Sequence, residues 1–283
     1  MSIRVFTDST SYIDDETRQE LGITAFPLSV HFPDESFKET EVEYDYFYNK
    51  IDRTGIIPTS SQPAMAEIYS AFEETVSRGD QVIAIFISSD MSGTYESALV
   101  AKDMLLKKHP AARIEVLDSR TNCMAMGLSV IEAARAVKEG LSLDETLQRA
   151  RSIINRVQFY FIPATLDYLK KGGRIGGAAA LIGSMLSIRP ILHVDKGKTA
   201  LLEKVRGART AFERLLTLLE KADQEYGITK LVVHHIHDLP RGQKVAQMIA
   251  DRYGFKPPVL SIGPVIGTHV GPGAVGIVYV TQE

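Results

Sequence analysis

One stretch limits what this chain can become: Gln81 to Ala101, reading QVIAIFISSDMSGTYESALVA. Val82 to Ile87 is an unbroken apolar run rich in β-branched residues. A run that short, bounded by polar turn residues, is the pattern of a strand buried on both faces. Ser88 to Thr94 is then mostly small and polar, and a helical pattern begins after it. Such a strand–turn–helix passage points to an α/β sheet, where ligands gather at the carboxyl ends of strands. Free N–H groups and partial positive charge at a helix N-terminus favour anions there. The hydroxyls of Ser92 and Thr94 add donors, and the turn holds no basic residue, so a single carboxylate or phosphate suits it better than a polyphosphate. Either hydroxyl could equally be an ordinary helix cap. The helix carries Tyr95, Ala98, Leu99, Leu105 and Leu106 on one stripe; Val100 and Met104 fall off it, which predicts packing on two sides.

The same grammar recurs before and after this stretch. Ile3 to Phe6 reads as a strand ending in Thr7-Asp8-Ser9-Thr10-Ser11, followed by a weak helix over 14–21. Ile23 to Phe32 reads as a strand with a bend at Pro27, and EVEYDYFYNKID as a helix ending at Gly55. A second hydroxyl cluster, Pro58-Thr59-Ser60-Ser61-Gln62-Pro63, precedes the helical pattern AMAEIYSAFEETV. Pro63 suits a first helical turn, with a hydroxyl before it as N-cap. If the two clusters converge they make a site; apart, each is only a cap. Arg113 to Leu117 is a further strand, followed by helices from Met124 to Lys138 and from Leu141 to Arg156, the latter with Ser142 and Glu145 at capping-box spacing. Strands alternating with helices predict a mainly parallel sheet covered on both faces.

At 283 residues the chain has room for about two domains, and the pattern restarts near Asn155. Residues 1–155 are therefore read as one domain and 156–283 as a second. The latter begins with a strand over 158–162 and a helix over 166–171 that Gly172-Gly173 ends. Ala178 to Ile188 reads as a helix apolar on most sides, to be buried or to wall an apolar cavity. Asp195-Lys196-Gly197-Lys198 reads as a hairpin turn. A helix over 209–225, a buried strand over 228–236 and a helix over 241–253 follow, and the glycine-rich end reads as strand.

A formal net charge of −3 argues against a general nucleic-acid binder. The single cysteine, Cys123, rules out an internal disulfide, reads as a small buried hydrophobe, and points to a reducing cytoplasm. No signal-peptide core opens the chain, and no window approaches the ~20 apolar residues of a membrane span. Gly271 to Gly276 matches a dinucleotide-binding expression, but a strand follows it and only seven residues remain for the acidic partner. No P-loop and no nucleophile elbow is present.

Six segments in this order, TDST, PTSSQP, SSDMSGTYESA, LKKGGRIG, SIRPIL and GTHVGPGAVG, resemble the DegV family of bacterial fatty-acid-binding proteins. The resemblance spans essentially the whole chain. It implies two α/β domains, the first with a mainly parallel sheet covered by helices, the second with a smaller mixed sheet and helices. It implies a long-chain fatty acid between the domains with its carboxylate held by hydroxyls. It also implies a non-catalytic subunit that presents this carboxylate to a separate ATP-dependent kinase subunit, which makes the acyl phosphate. By motif, the head-group candidates are Ser60 or Ser61, and Ser92 with the Gly93 N–H; Arg174 and His269 complete or flank the mouth. The usual Thr-Thr-Ser-Gln-Pro reads Thr-Ser-Ser-Gln-Pro here, leaving the choice between Ser60 and Ser61 open. The rival reading is a serine hydrolase with Ser92 as nucleophile, His269 as base and Asp8 or Asp118 as orienter.

Overall fold

The structure, a computed structural model, describes residues 2–181 and 188–282. In chain order its strands and helices are β1 (Ile3–Asp8), α1 (Asp15–Leu21), β2 (Ile23–Phe26), β3 (Ser29–His31), β4 (Ser36–Lys38), α2 (Tyr44–Thr54), β5 (Thr59–Ser61), α3 (Met65–Ser77) and β6 (Gln81–Phe86). Then come α4 (Thr94–Lys108), β7 (Ile114–Asp118), α5 (Cys123–Lys138), α6 (Leu143–Arg156), β8 (Val157–Ile162) and α7 (Asp167–Lys171). The rest is β9 (Ile188–Asp195), β10 (Lys198–Arg206), α8 (Ala208–Tyr226), β11 (Ile228–His235), α9 (Leu239–Tyr253), β12 (Val259–Ser261), α10 (Pro264–Val270) and β13 (Val275–Thr281). Two compact units result: residues 1–29, 38–40 and 60–155 form one, and residues 30–37, 41–59 and 156–283 the other. Among the described residues no helix is long and apolar enough to cross a membrane.

The first unit is built on a parallel sheet in the order β2-β1-β6-β7. Residues 82–86 are fully buried, as an apolar run in a central strand requires. Phe6, Phe26, Phe72, Phe86, Ala98 and Leu105 belong to one cluster, in which α3 and α4 pack over the sheet. The Phe6 and Phe26 rings stack at 5.7 Å, with Phe72 edge-on to Phe6 at 5.2 Å. α5 packs on β1 and β6, and its Met126, Val130 and Ala134 are buried. α4 packs on one side rather than two: its buried residues are Thr94, Ser97, Ala98, Ala101 and Leu105, while Val100 and Met104 are 50% and 45% exposed. Small residues on the buried face bring the backbone close to the sheet, and the larger apolar pair is left outside.

The second unit has a mixed sheet in the order β10-β9-β8-β13-β11-β12, six strands against four in the first. The pairs are antiparallel except β11 with β12. β9 and β10 form the expected hairpin, with Lys196 and Gly197 both at positive φ, 47° and 85°, as a two-residue primed turn demands. Leu215 and Leu219 of α8, Val245 and Ile249 of α9, and Val233 and Ile277 of the sheet share one core.

Two expectations for this unit need correction. Gly176–Leu181 is a 3-10 turn in which only Ala178 and Leu181 are buried; the remainder of the expected apolar helix, 182–187, lies outside the described residues. Ile188, read as the end of that helix, instead opens β9. The glycine-rich end is not all strand. Pro264 opens the short helix α10 at its first turn, and Gly263 precedes it as N-cap.

Candidate functional site

In the first unit the two hydroxyl segments meet. Gln62 Nε2 donates to Ser97 Oγ at 2.5 Å, and Gln62 Oε1 lies against Gly93, where a Cβ would displace it. The PTSSQP segment thus lies against the start of α4. Neither segment places a hydroxyl at its helix's N-cap position. Ser60 and Ser61 sit on β5, half-buried and exposed, whereas the N-cap of α3 is Ala64, with no side-chain cap bond. Pro63 stands outside the helix, so the expected hydroxyl cap does not form. Gly93 is the N-cap of α4, again without a side-chain cap bond. Ser92 comes one residue earlier; its Oγ lies 2.9 Å from Thr94 Oγ1 and accepts a long hydrogen bond, 3.4 Å, from the Thr94 N–H.

The loop between β6 and α4 is held on all sides. Met91 and Ser92 N–H both donate to Ser88 O, at 2.9 and 3.0 Å. Ser89 Oγ donates to Asp118 at 2.6 Å, and Arg120 pairs with Asp90 at 2.7 Å and Asp118 at 3.2 Å. Arg120 adopts a left-handed backbone, φ 54°, that turns it toward this loop from the end of β7. A basic residue thus stands beside the turn, though engaged by two carboxylates. Gln62 and Arg120 were not found from sequence alone. The signal for Arg120 is topological: β7 neighbours β6, so residues following both strands share one end of the sheet.

In the second unit the LKKGGRIG and GTHVGPGAVG segments interlock. Gly172, just past α7, lies against His269 Nδ1 with no room for a Cβ. Gly271, at φ 86°, faces the Tyr168 ring equally closely, and its conformation also excludes a side chain. Burial, with Arg174 nearby, pushes the His269 imidazolium down to about 4, so the ring is neutral at physiological pH. Arg174 is exposed and donates to Gly172 O at 2.6 Å. Gly176 and Gly177 then run along Thr199 and Ala200 of β10. Ser60, Ser61, Ser92 and Gly93 are thus grouped in one unit, and Arg174 and His269 in the other.

The carboxylates that a Ser92 triad would use are engaged elsewhere. Asp8 accepts from Thr10 and Ile87, and Asp118 from Ser89 and Arg120.

A family model described as a protein of the DegV family matches residues 2–282. This chain belongs to the DegV family. A DegV domain-containing protein of Clostridium acetobutylicum is 45% identical over 283 residues, covering 100% of this chain and 99% of its own. The crystal structure of Bacillus subtilis DegV, described as a fatty acid binding protein, superposes with a TM-score of 0.86 at 33% identity, covering both chains fully at 100%. A Thermus thermophilus DegV family protein, described by its fatty acid binding, gives a TM-score of 0.87 at 27% identity over 100% of both chains. The α/β fold is thus the DegV fold.

Proposed function

We propose that this DegV family protein binds a long-chain fatty acid, holds its carboxylate by hydroxyls, and presents it to a separate ATP-using kinase subunit that forms the acyl phosphate. The observation that carries the first part is Gln62, which lies against Gly93 and bonds Ser97. Two hydroxyl-bearing segments far apart in sequence become neighbours, and neither puts a hydroxyl at its helix's N-cap position. A carboxylate has two oxygens and about four acceptor sites, which hydroxyls and a helix-start N–H can satisfy together. The head-group contacts we propose are Ser60 or Ser61, Ser92 and the Gly93 N–H. Arg174 and His269 are carried over by motif as further determinants of binding or presentation. The fatty acid binding described for the Bacillus subtilis and Thermus thermophilus relatives supports the ligand class.

The kinase part rests on the family resemblance and on exposed cations at the end of β10 and the start of α8, namely Lys204, Arg206 and Arg209. A cytoplasmic location is inferred from the single, buried Cys123. Mass spectrometry tests the ligand directly. Native and denaturing spectra of the purified protein should differ by one acyl-chain mass. Equal masses, with no uptake of added palmitate or oleate, would overturn the reading.

A further inference from the structure

β1 and β6 run parallel side by side, with Phe6 opposite Ala84. β1 leaves the sheet after Asp8, where residues 9–11 turn into a 3-10 helix with Asp8 at its N-cap. The backbone beyond β6 therefore loses its β1 neighbour at the point where the Ser88–Gly93 loop begins. A buried N–H left there without an acceptor would be costly. Asp8 fills the gap with its side chain: Oδ2 accepts from Ile87 N–H at 2.9 Å, in place of the backbone carbonyl that β1 no longer supplies. Its Oδ1 accepts from Thr10 N–H at 3.0 Å and from Thr10 Oγ1 at 2.5 Å. The other flank is held by backbone, Ser88 N–H to Thr121 O at 2.9 Å.

From Ile87 the order passes directly to the hydroxyl. Ser88 O accepts both Met91 N–H and Ser92 N–H, so the place of Ser88 sets the turn that carries Ser92 and Gly93. Asp8 itself is fully buried. Three donors converge on its two oxygens, an arrangement that suits an acceptor-only carboxylate; an asparagine would turn an NH₂ group against at least one of them.

We propose that Asp8 is the positioning residue of the head-group site, fixing the Ser92 hydroxyl and the Gly93 N–H through Ile87 and Ser88. The proposal rests on the fatty-acid reading above and adds a residue that touches no ligand. It separates head-group order from general stability, because the tether acts on the carboxylate-holding turn and not on the acyl chain.

The test compares two ligands of one chain length, palmitate and hexadecanol, by displacement of a fluorescent fatty acid from the full chain. Asp8→Asn should weaken palmitate about tenfold and hexadecanol less than twofold. Equal losses for both ligands would mark Asp8 as merely structural and overturn the proposal, as would unchanged palmitate affinity. Should Asp8→Asn fail to fold, Thr10→Val, which removes one donor to Asp8, decides: a palmitate-selective loss of about threefold supports the proposal, and any non-selective result overturns it. Failure of the wild type to bind palmitate would instead remove the fatty-acid reading, and the proposal with it.

Discussion

Gln62 Nε2 donates to Ser97 Oγ at 2.5 Å, joining the segment after β5 to the first turn of α4. The same side chain occupies the space where a Cβ on residue 93 would stand. A side chain at residue 93 would thus have to push Gln62 aside, although the φ of −79° there is open to any residue. Removing Gln62 should loosen the hydroxyl segments relative to each other while leaving both helices capped as before. Gln62→Ala is expected to weaken fatty acid affinity about fivefold, the size of one neutral hydrogen bond, ~1 kcal/mol. Thermal melts should move little, because Gln62 is largely exposed. A stability loss with unchanged affinity would make Gln62 a packing residue only.

Ser92→Ala separates ligand binding from capping. A hydrogen bond to a charged carboxylate is worth about 1.5–3 kcal/mol, one to two decades in affinity. Loss of a helix cap would instead lower stability by about 1 kcal/mol and leave binding alone. The N-cap position belongs to Gly93 and the Thr94 N–H lies 3.4 Å from Ser92 Oγ, so the binding loss is expected to dominate. Binding isotherms beside melting curves read both quantities. No esterase turnover is expected from the wild type; hydrolysis of a nitrophenyl ester that Ser92→Ala abolishes would restore the hydrolase reading.

Buried titratable groups set opposing pH dependences in the two units. Burial raises the Asp8 carboxyl from 3.8 to about 6, against the hydrogen bonds from Ile87 and Thr10 that lower it. The folded protein thus holds that proton more tightly than the unfolded chain. Its contribution to stability is fully present below about 4 and is lost as pH rises through 6. His234 and His269 are shifted the other way, from 6.5 to about 4, by burial. Their contributions are fully present above 6.5 and are lost as pH falls through 4. Each group is worth about 3 kcal/mol at full effect. From pH 7 to pH 4, the stability of wild type relative to Asp8→Asn should therefore rise by about 2.5 kcal/mol. Wild type relative to His269→Gln should fall by a similar amount. Urea unfolding at pH 7, 5.5 and 4 measures both; a flat difference in either series would refute the assignment for that residue.

Much of this fold is legible in the sequence because its signals are local. The buried run at 82–87, the bend at Pro27 and the hairpin turn at 196–197 each appear where short-range chemistry requires them. So does the capping box, in which Ser142 N–H donates to the Glu145 carboxylate at 2.8 Å and Glu145 N–H to Ser142 Oγ at 3.4 Å. What escapes is long-range. α10 was hidden by Gly263, Pro264 and Gly267, residues that weaken a helical pattern. Gly267 is there because the Tyr48 hydroxyl, which donates to Gly263 O at 3.3 Å, leaves it no room for a side chain. The Gln62 and Asp8 contacts span 35 and 79 residues, beyond any spacing rule. Residues 30–37 and 41–59 group with the C-terminal unit for reasons no composition shift announces.

The exposed cations of the second unit carry the last prediction. Lys204 and Arg206 close β10, and Arg209 opens α8. The acidic residues of this segment are already engaged: Glu203 pairs with Arg214 at 2.8 Å, and Glu213 with Arg252 at 3.2 Å. The uncompensated charge is therefore positive, on a chain with a formal net charge of −3. A local excess of this kind steers an oppositely charged partner and raises its association rate. The proposed kinase subunit should present an acidic face to it. Reversing Arg206 and Arg209 to Glu should slow acyl-phosphate formation by a cognate kinase and leave fatty acid affinity intact. The deficit should shrink as salt is added, because exposed charges are screened over about 10 Å at 0.1 M ionic strength. An unchanged rate at low salt would put the docking surface on another part of the protein, and a loss of fatty acid affinity would place these arginines in the binding site itself.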